Sequence, residues 1–365
     1  MKDFIFRNDT KLLFRNDIRE TILEIAEGHK IMFVHGGGSA ERNGCRDDVV
    51  RTLTENNIPF VEYGGASREF QKTEEGIRLA RANGVTMIIG AGGASVMDCA
   101  KLMALGFYHE SNLWGYVKGR NPYGLEHLPL ALIPTYPSSG SENGLGAVAV
   151  DSRTGDFGTA YGIAADYAIL YPRYSLTLDR EMTVYTGLVT LVQLSACVLG
   201  DKNKMSYDAG ISYIRNVLEA TRTLQKNPDD LDARGIIMLG ASLSTSSRIG
   251  IGKEEPFAYD IYELEFLPEK LFGSTYRRSL TSIFPRFLAA MGRHHAAEVE
   301  KYCRDAFGFG SSIEESSRKL IELFSGFGAE MYFDGKITRE QVDSIPYRTE
   351  LTPNEVFELM NSLIR

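Results

Sequence analysis

Histidine is scarce in this 365-residue chain: there are six, and none between His127 and His294. That gap excludes a histidine-ligated metal centre drawn from the middle of the sequence. Four cysteines (Cys45, Cys99, Cys197 and Cys303) stand far apart with no paired metal spacing, and read as free thiols of a reducing cytoplasm. The net charge is −8, and Arg277-Arg278 and Lys202/Lys204 are too short to form a basic patch. Nucleic-acid and anionic-membrane partners are thereby excluded, since either needs concentrated positive charge. No apolar run reaches the ~18 residues that crossing a bilayer requires. The opening stretch MKDFIFRNDTKLLF is amphipathic and carries acids, unlike a secretory leader. A cytoplasmic protein is expected. Internal repeats and low-complexity linkers are also missing.

What remains is an ordinary globular mix, 43% hydrophobic and 24% charged, long enough for two domains of about 150–200 residues each. In the first half, apolar β-branched runs alternate with amphipathic stretches. Ile31–His35, Phe60–Tyr63, Thr86–Gly90 and Leu130–Pro134 read as strands; Asp47–Glu55, Thr73–Asn83 and Ser95–Leu105 read as helices. That alternation implies a mostly parallel sheet covered on both faces. Beyond about Asp179 a 3.6-residue period dominates, over Met182–Leu199, Ser206–Gln225, Asp230–Ile249, Ser279–Ala289, Glu314–Phe327 and Pro353–Ile364, with Thr352 as an N-cap. The expected division is an α/β N-terminal domain, residues 1–178, and an all-α C-terminal domain, residues 179–365.

Two glycine clusters fall where a strand ends and a helix begins: His35-Gly36-Gly37-Gly38-Ser39, and Gly90-Ala91-Gly92-Gly93-Ala94-Ser95. Glycine lets the chain turn sharply and lets a phosphate reach backbone N–H groups, and the helix N-terminus adds partial positive charge. Neither cluster has the spaced Rossmann fingerprint. A third loop of small residues, Pro137–Gly140, follows the fourth strand.

In order and separation three segments resemble the signature loops of the iron-containing alcohol dehydrogenases, of the NADPH-dependent butanol dehydrogenase type. They are Gly36-Gly37-Gly38-Ser39 with Asn43-Gly44, Gly92-Gly93-Ala94-Ser95 with Asp98 and Ala100-Lys101, and Pro134 through Glu142. Weaker matches continue at Asp232–Arg234, Leu239–Ala241, Leu280–Pro285 and Leu351–Pro353. The resemblance implies the dehydroquinate synthase-like fold, a dinucleotide-binding domain followed by an all-helical one. It implies an NAD(P)-dependent oxidoreductase interconverting a small alcohol and aldehyde, with homodimerisation as the family habit. Cofactor contacts then fall on Gly37, Gly38, Ser39, Gly92, Gly93, Ala94, Ser95, Asp98, Thr135, Tyr136 and Ser138. A carboxylate at Ser39 would favour the 2′-hydroxyl of NAD; serine, with Arg42 three residues on, favours NADP.

The resemblance also implies a metal ligated by an aspartate and three histidines of the helical domain. Those positions fall here on Val189, Gln193, Asp260 (or Tyr262 in an alternative register) and Tyr276, so the metal site is degenerate. His294 and Glu298 are spaced to chelate but do not correspond to family ligands. The lysine that members place after the third loop falls on Phe157, with Arg153 or Lys101 as stand-ins. One expectation is a metal-independent reductase in which Tyr262 or Tyr276, activated by the neighbouring Arg277 and Arg278, donates to the carbonyl oxygen. The alternative is a catalytically silent member that binds a nucleotide as sensor or partner subunit.

Overall fold

The computed structural model describes residues 3–246, 249, 251, 257–310 and 312–365. The chain divides into two compact units: Arg7–Leu178 with Ala241–Ser247, and Met1–Phe6, Asp179–Gly240 and Arg248–Arg365. The inclusion of Ala241–Ser247 in the first unit was not foreseeable from periodicity, because those residues simply continue a helix.

The first unit is α/β. Its strands are β1 (Lys11–Phe14), β2 (Ile31–His35), β3 (Phe60–Tyr63), β4 (Met87–Gly92), β5 (Leu130–Pro134), β6 (Gly146–Val150), β7 (Phe157–Tyr161) and β8 (Tyr167–Leu170). Six of them form one parallel sheet in the order β1-β8-β5-β4-β2-β3, and β6 and β7 form a separate antiparallel hairpin. The central strands β2, β4 and β5 are apolar at every position but His35, because helices cover both faces. Met32, Val34, Ile88 and Leu132 pack with Val96, Ala100 and Met103 on one face, whereas Ile31, Phe33, Ile89 and Ile133 pack with Ile22, Val49 and Leu53 on the other. The covering helices are α1 (Ile18–Ala26), α2 (Ser39–Arg42), α3 (Cys45–Glu55), α4 (Phe70–Ala82), α5 (Ala94–His109) and α6 (Leu113–Val117). The hairpin was missed in the sequence because Gly-Ala-Val-Ala-Val offers no polar–apolar alternation to read.

The second unit is helical: α7 (Arg180–Val198), α8 (Lys204–Lys226), most of α9 (Leu231–Thr245), α10 (Ile261–Leu264), α11 (Phe266–Phe272), α12 (Tyr276–Met291), α13 (Ala296–Phe307), α14 (Ile313–Gly326), α15 (Arg339–Asp343) and α16 (Pro353–Asn361). The expected pattern over Asp230–Ile249 appears as α9; its residues 247 and 248 lie outside the described residues. Thr352 caps α16 in a reciprocal capping box with Glu355. Helix α7 has the length and apolarity of a membrane-crossing segment, yet 89% of its apolar window is buried inside the protein, as for a core helix.

Helices α7 and α8 approach closely at two glycines. A Cβ at Gly210 would lie 1.9 Å from Val198 Cγ1, and one at Gly187 would lie 2.1 Å from Thr221 Oγ1. Gly210→Ala sets a helix-propensity gain of about 1 kcal/mol against overpacking of a stiff β-branched neighbour, which costs roughly 1–3 kcal/mol. Packing wins at such a distance, so Gly210→Ala is expected to lower stability by roughly 1–2 kcal/mol in urea unfolding; a stabilised variant would show that the helices do not meet this way.

Candidate functional site

The chain runs from β2 outward to β3 and then returns to β4 on the other side of β2, so the direction of the sheet reverses between β2 and β4. Ligands of open parallel sheets bind outside the carboxyl ends of the strands at such a switch point. Both glycine clusters stand there. His35 and Ala91 are register partners, as are Gly92 and Pro134, so the loops after β2, β4 and β5 lie side by side. Gly36 and Gly92 are both seated on Val96 of α5, where an added Cβ would come within 2.9 and 2.7 Å of its methyl. Above that seat Gly37, Ser39 and Ser95 are exposed, with Gly38, Gly93 and Ala94 half-buried. Space is open around Gly37, and the nearest atom to a Cβ at Gly93 is the Tyr136 Cβ at 3.9 Å. Helix α5 starts at Gly93 with no side-chain cap and no acid in its first turn. Uncapped N–H groups, a helix dipole of 16 residues and missing Cβ atoms fit a pyrophosphate.

The third loop is fastened from below. Thr135 N donates to Gly92 O at 3.0 Å. Asp98 is 3% exposed; its carboxylate accepts from Ser141 Oγ at 2.7 Å and lies 3.4 Å from Arg68 Nε. Lys101 is fully buried, and its ammonium donates to Gly144 O at 2.7 Å, Gly146 O at 2.9 Å and Ser141 Oγ at 3.4 Å. Lys101 is therefore not a stand-in for the absent cofactor-facing lysine; its three N–H bonds are spent on the loop. Arg153 is not one either, since Asp151 holds its guanidinium through Nε and Nη2. Gly140 sits at φ +62°, with no room for a Cβ against Ala241 O, and its own carbonyl accepts from Thr245 Oγ1 at 2.6 Å. Thr135 and Ser138 are buried and Tyr136 half-buried. Of this group the sequence signalled the loop, Gly140 and Ser141 included, but not their bonds to Thr245 and Asp98 or the downward course of Lys101.

On the first loop, Ser39 opens the short helix α2, and a Cβ on Gly38 would lie 3.0 Å from Arg42 Nη1. Arg42 thus folds back over the glycines. His35, unremarked as a site residue in the sequence, is 6% exposed and bonds Glu62.

In the helical unit, Val189 is fully buried and its side chain offers no donor atom. Gln193 is 3% exposed, and its Nε2 donates to the Tyr276 hydroxyl at 3.2 Å. Two of the expected positions are therefore neighbours. Asp260 is engaged elsewhere, its carboxylate accepting from Glu350 N at 2.8 Å. Tyr262 is half-buried, its ring 6.2 Å from that of Tyr259. The arginines following Tyr276 do not serve it as activators: Arg277 lies over the Tyr185 ring, and Arg278 pairs with Glu330 and donates to Tyr332 O. His294 and His295 bond Glu355 and Glu350, not Glu298. Among the described residues no cluster of three or more His, Cys, Asp or Glu side chains could hold a metal ion. An amide and a phenol are neutral oxygen and nitrogen groups, and that donor set does not fit Fe(II) or Zn.

Fold and loops define a dinucleotide-binding α/β domain joined to a helical one. Residues 9–174 match the family model for iron-containing alcohol dehydrogenase. The chain is 29% identical over 274 residues to the NADH-dependent butanol dehydrogenase B of Clostridium acetobutylicum, covering 73% of this chain and 70% of that one. It is 25% identical to the NADPH-dependent aldehyde reductase YqhD of Escherichia coli, over 78% of this chain and 75% of that one. The crystal structure of the NADH-dependent butanol dehydrogenase A of Thermotoga maritima superposes with a TM-score of 0.88 over 100% of this chain and 99% of that chain, at 23% identity, which shows the shared fold. Residues 9–174 thus form an iron-containing alcohol dehydrogenase domain, and butanol dehydrogenases and an aldehyde reductase are similar to the chain over about three quarters of its length.

Burial pulls the Lys101 ammonium down to about 8, against the attraction of Asp98 and Glu142. Between that value and the ordinary lysine value of 10.5 the unfolded chain binds the extra proton, so this residue's contribution to stability rises with pH through that window. Lys101→Met removes the dependence. The stability of the wild type relative to this variant is expected to grow by roughly 2 kcal/mol between about pH 8 and about pH 10 in urea unfolding; a constant difference would show that the ammonium is not desolvated.

Proposed function

We propose that this chain is an NAD(P)H-dependent oxidoreductase that interconverts a small alcohol and its aldehyde without the metal of its family. The observation that carries the reading is the pair of intact glycine loops at the switch point, combined with the amide–phenol pair where metal ligands would stand. The names of the relatives, butanol dehydrogenases and an aldehyde reductase, support the substrate class.

When bound, the nicotinamide dinucleotide supplies or accepts the hydride. The chain's own part begins with the uncapped start of α5 and the open backbone at Gly37 and Gly93, which bind the pyrophosphate. Ser39, with Arg42 folded over Gly38, favours a 2′-phosphate, so NADP is the proposed cofactor. Gln193 donates to the Tyr276 hydroxyl and orients it, and we assign the phenol to the carbonyl oxygen of the aldehyde. Tyr262 is assigned no step. Free buried cysteines support a reducing compartment such as the cytoplasm.

Protein dialysed against chelator is expected to oxidise NADPH with short-chain aldehydes, and Tyr276→Phe is expected to lower kcat roughly 100-fold while leaving NADPH affinity unchanged. NADPH binding without turnover of any aldehyde or alcohol, with or without added Fe, Zn, Mg or Mn, would sink the reductase reading and leave a silent nucleotide-binding member. Ser39→Asp is expected to weaken NADPH by roughly 10-fold with little change for NADH; equal effects on both would remove Ser39 from cofactor choice.

A further inference from the structure

We propose that Arg68 is a phosphate-binding residue of the cradle, its guanidinium meeting the pyrophosphate of a bound dinucleotide from the loop after β3. The inference deepens the reading above and rests on its assignment of the glycine loops to a dinucleotide.

Arg68 stands in a turn outside both glycine clusters. Strand β3 ends at Tyr63, and the chain turns through Gly64 and Gly65, the latter at φ +76°. Gly65 N then donates to Gly36 O at 3.2 Å and Ala66 N to His35 O at 3.0 Å, so this turn runs beside the first glycine loop. Two residues on, Arg68 O accepts from Val150 N of β6 at 2.8 Å. Backbone bonds before and at Arg68 therefore fix where its side chain starts, at the carboxyl end of the sheet.

From there the side chain reaches α5. Its Nε lies 3.4 Å from Asp98 Oδ2. Asp98 follows Ala94 by four residues, which puts both on one face of α5, and helix side chains lean toward the N-terminus. The guanidinium is thus held on the cradle face, about one helical turn from the first N–H groups of α5. Asp98 is the buried partner, whereas the Arg68 side chain is 41% exposed. The contact does not use up the arginine. Its Nε is enclosed yet makes no hydrogen bond, and none of its other N–H groups bonds a protein acceptor among the described residues.

Neighbouring cations are spent. Lys101 bonds the carbonyls of Gly144 and Gly146, Arg153 is held by Asp151, and Arg46 reaches Glu62 Oε2 at 2.9 Å. Arg68 keeps its planar fork of donors, the shape that matches phosphate oxygens. Its place over Asp98 serves the same end. A carboxylate one turn inside α5 opposes an arriving pyrophosphate, and the guanidinium offsets it. Asp98 in turn restrains the arginine, so less freedom is lost when an anion is bound.

The test titrates full-length protein with NADPH and NADH by fluorescence. Arg68→Met keeps the aliphatic stem and removes the charge; it is expected to bind both nucleotides roughly 10-fold more weakly. A double-mutant cycle separates contact from screening. In an Asp98→Asn background, Arg68→Met is expected to cost roughly 10-fold again. No further loss there shows that the arginine only screens Asp98, and overturns the contact. Unchanged affinity in Arg68→Met also overturns it, while binding by the wild type leaves the dinucleotide reading standing. A wild type that binds neither nucleotide overturns both.

Discussion

Lys101 is fully buried, and three oxygens of the segment 141–146 accept from its ammonium. An uncompensated buried ammonium is expensive, so the path of the chain after β5 is constrained to bring Gly144 O and Gly146 O over α5. That constraint sets the third loop beside the other two and delivers the chain into β6. Asp98, one turn earlier on α5, holds Ser141 from the same side. The upper surface of the loops is left to glycine and small residues, which suits a ligand that binds through its phosphates.

The same helix organises the other two turns. Val96 fills the space that side chains at Gly36 and Gly92 would need. A single valine and a single lysine, five residues apart, therefore fix three loops from beneath. The upper faces of the loops are backbone and small residues, and their shape is maintained by side chains packed beneath them.

Much of this was legible in the sequence. Strand-ending glycine runs identify themselves, since few other residues tolerate the turn and the close seat on Val96. The strands Ile31–His35, Phe60–Tyr63 and Leu130–Pro134 are short and, His35 and Glu62 apart, apolar, so their assignment follows from pattern. Side-chain direction did not follow. Lys101 looked available to a cofactor because lysine is usually exposed, and only the fold shows its tip enclosed. Arg277 and Arg278 looked adjacent to Tyr276, yet successive residues on a helix point about 100° apart, and each has found a partner on another element. Gln193 and Tyr276 are 83 residues apart, and only their correspondence to family positions suggested that they meet. His35 carried no signal beyond its place before a glycine run, because its partner Glu62 stands on the neighbouring strand, 27 residues on.

In the helical unit Val189 is buried, and the Gln193 amide bonds the Tyr276 phenol. On the proposed reading the chain keeps the dinucleotide chemistry of its family and replaces Lewis-acid polarisation with a phenol. The most direct test is elemental analysis of the purified protein alongside NADPH titration of the same sample. The account predicts stoichiometric nucleotide binding with no stoichiometric iron or zinc. A full equivalent of either metal, held tightly enough to survive purification, would contradict it.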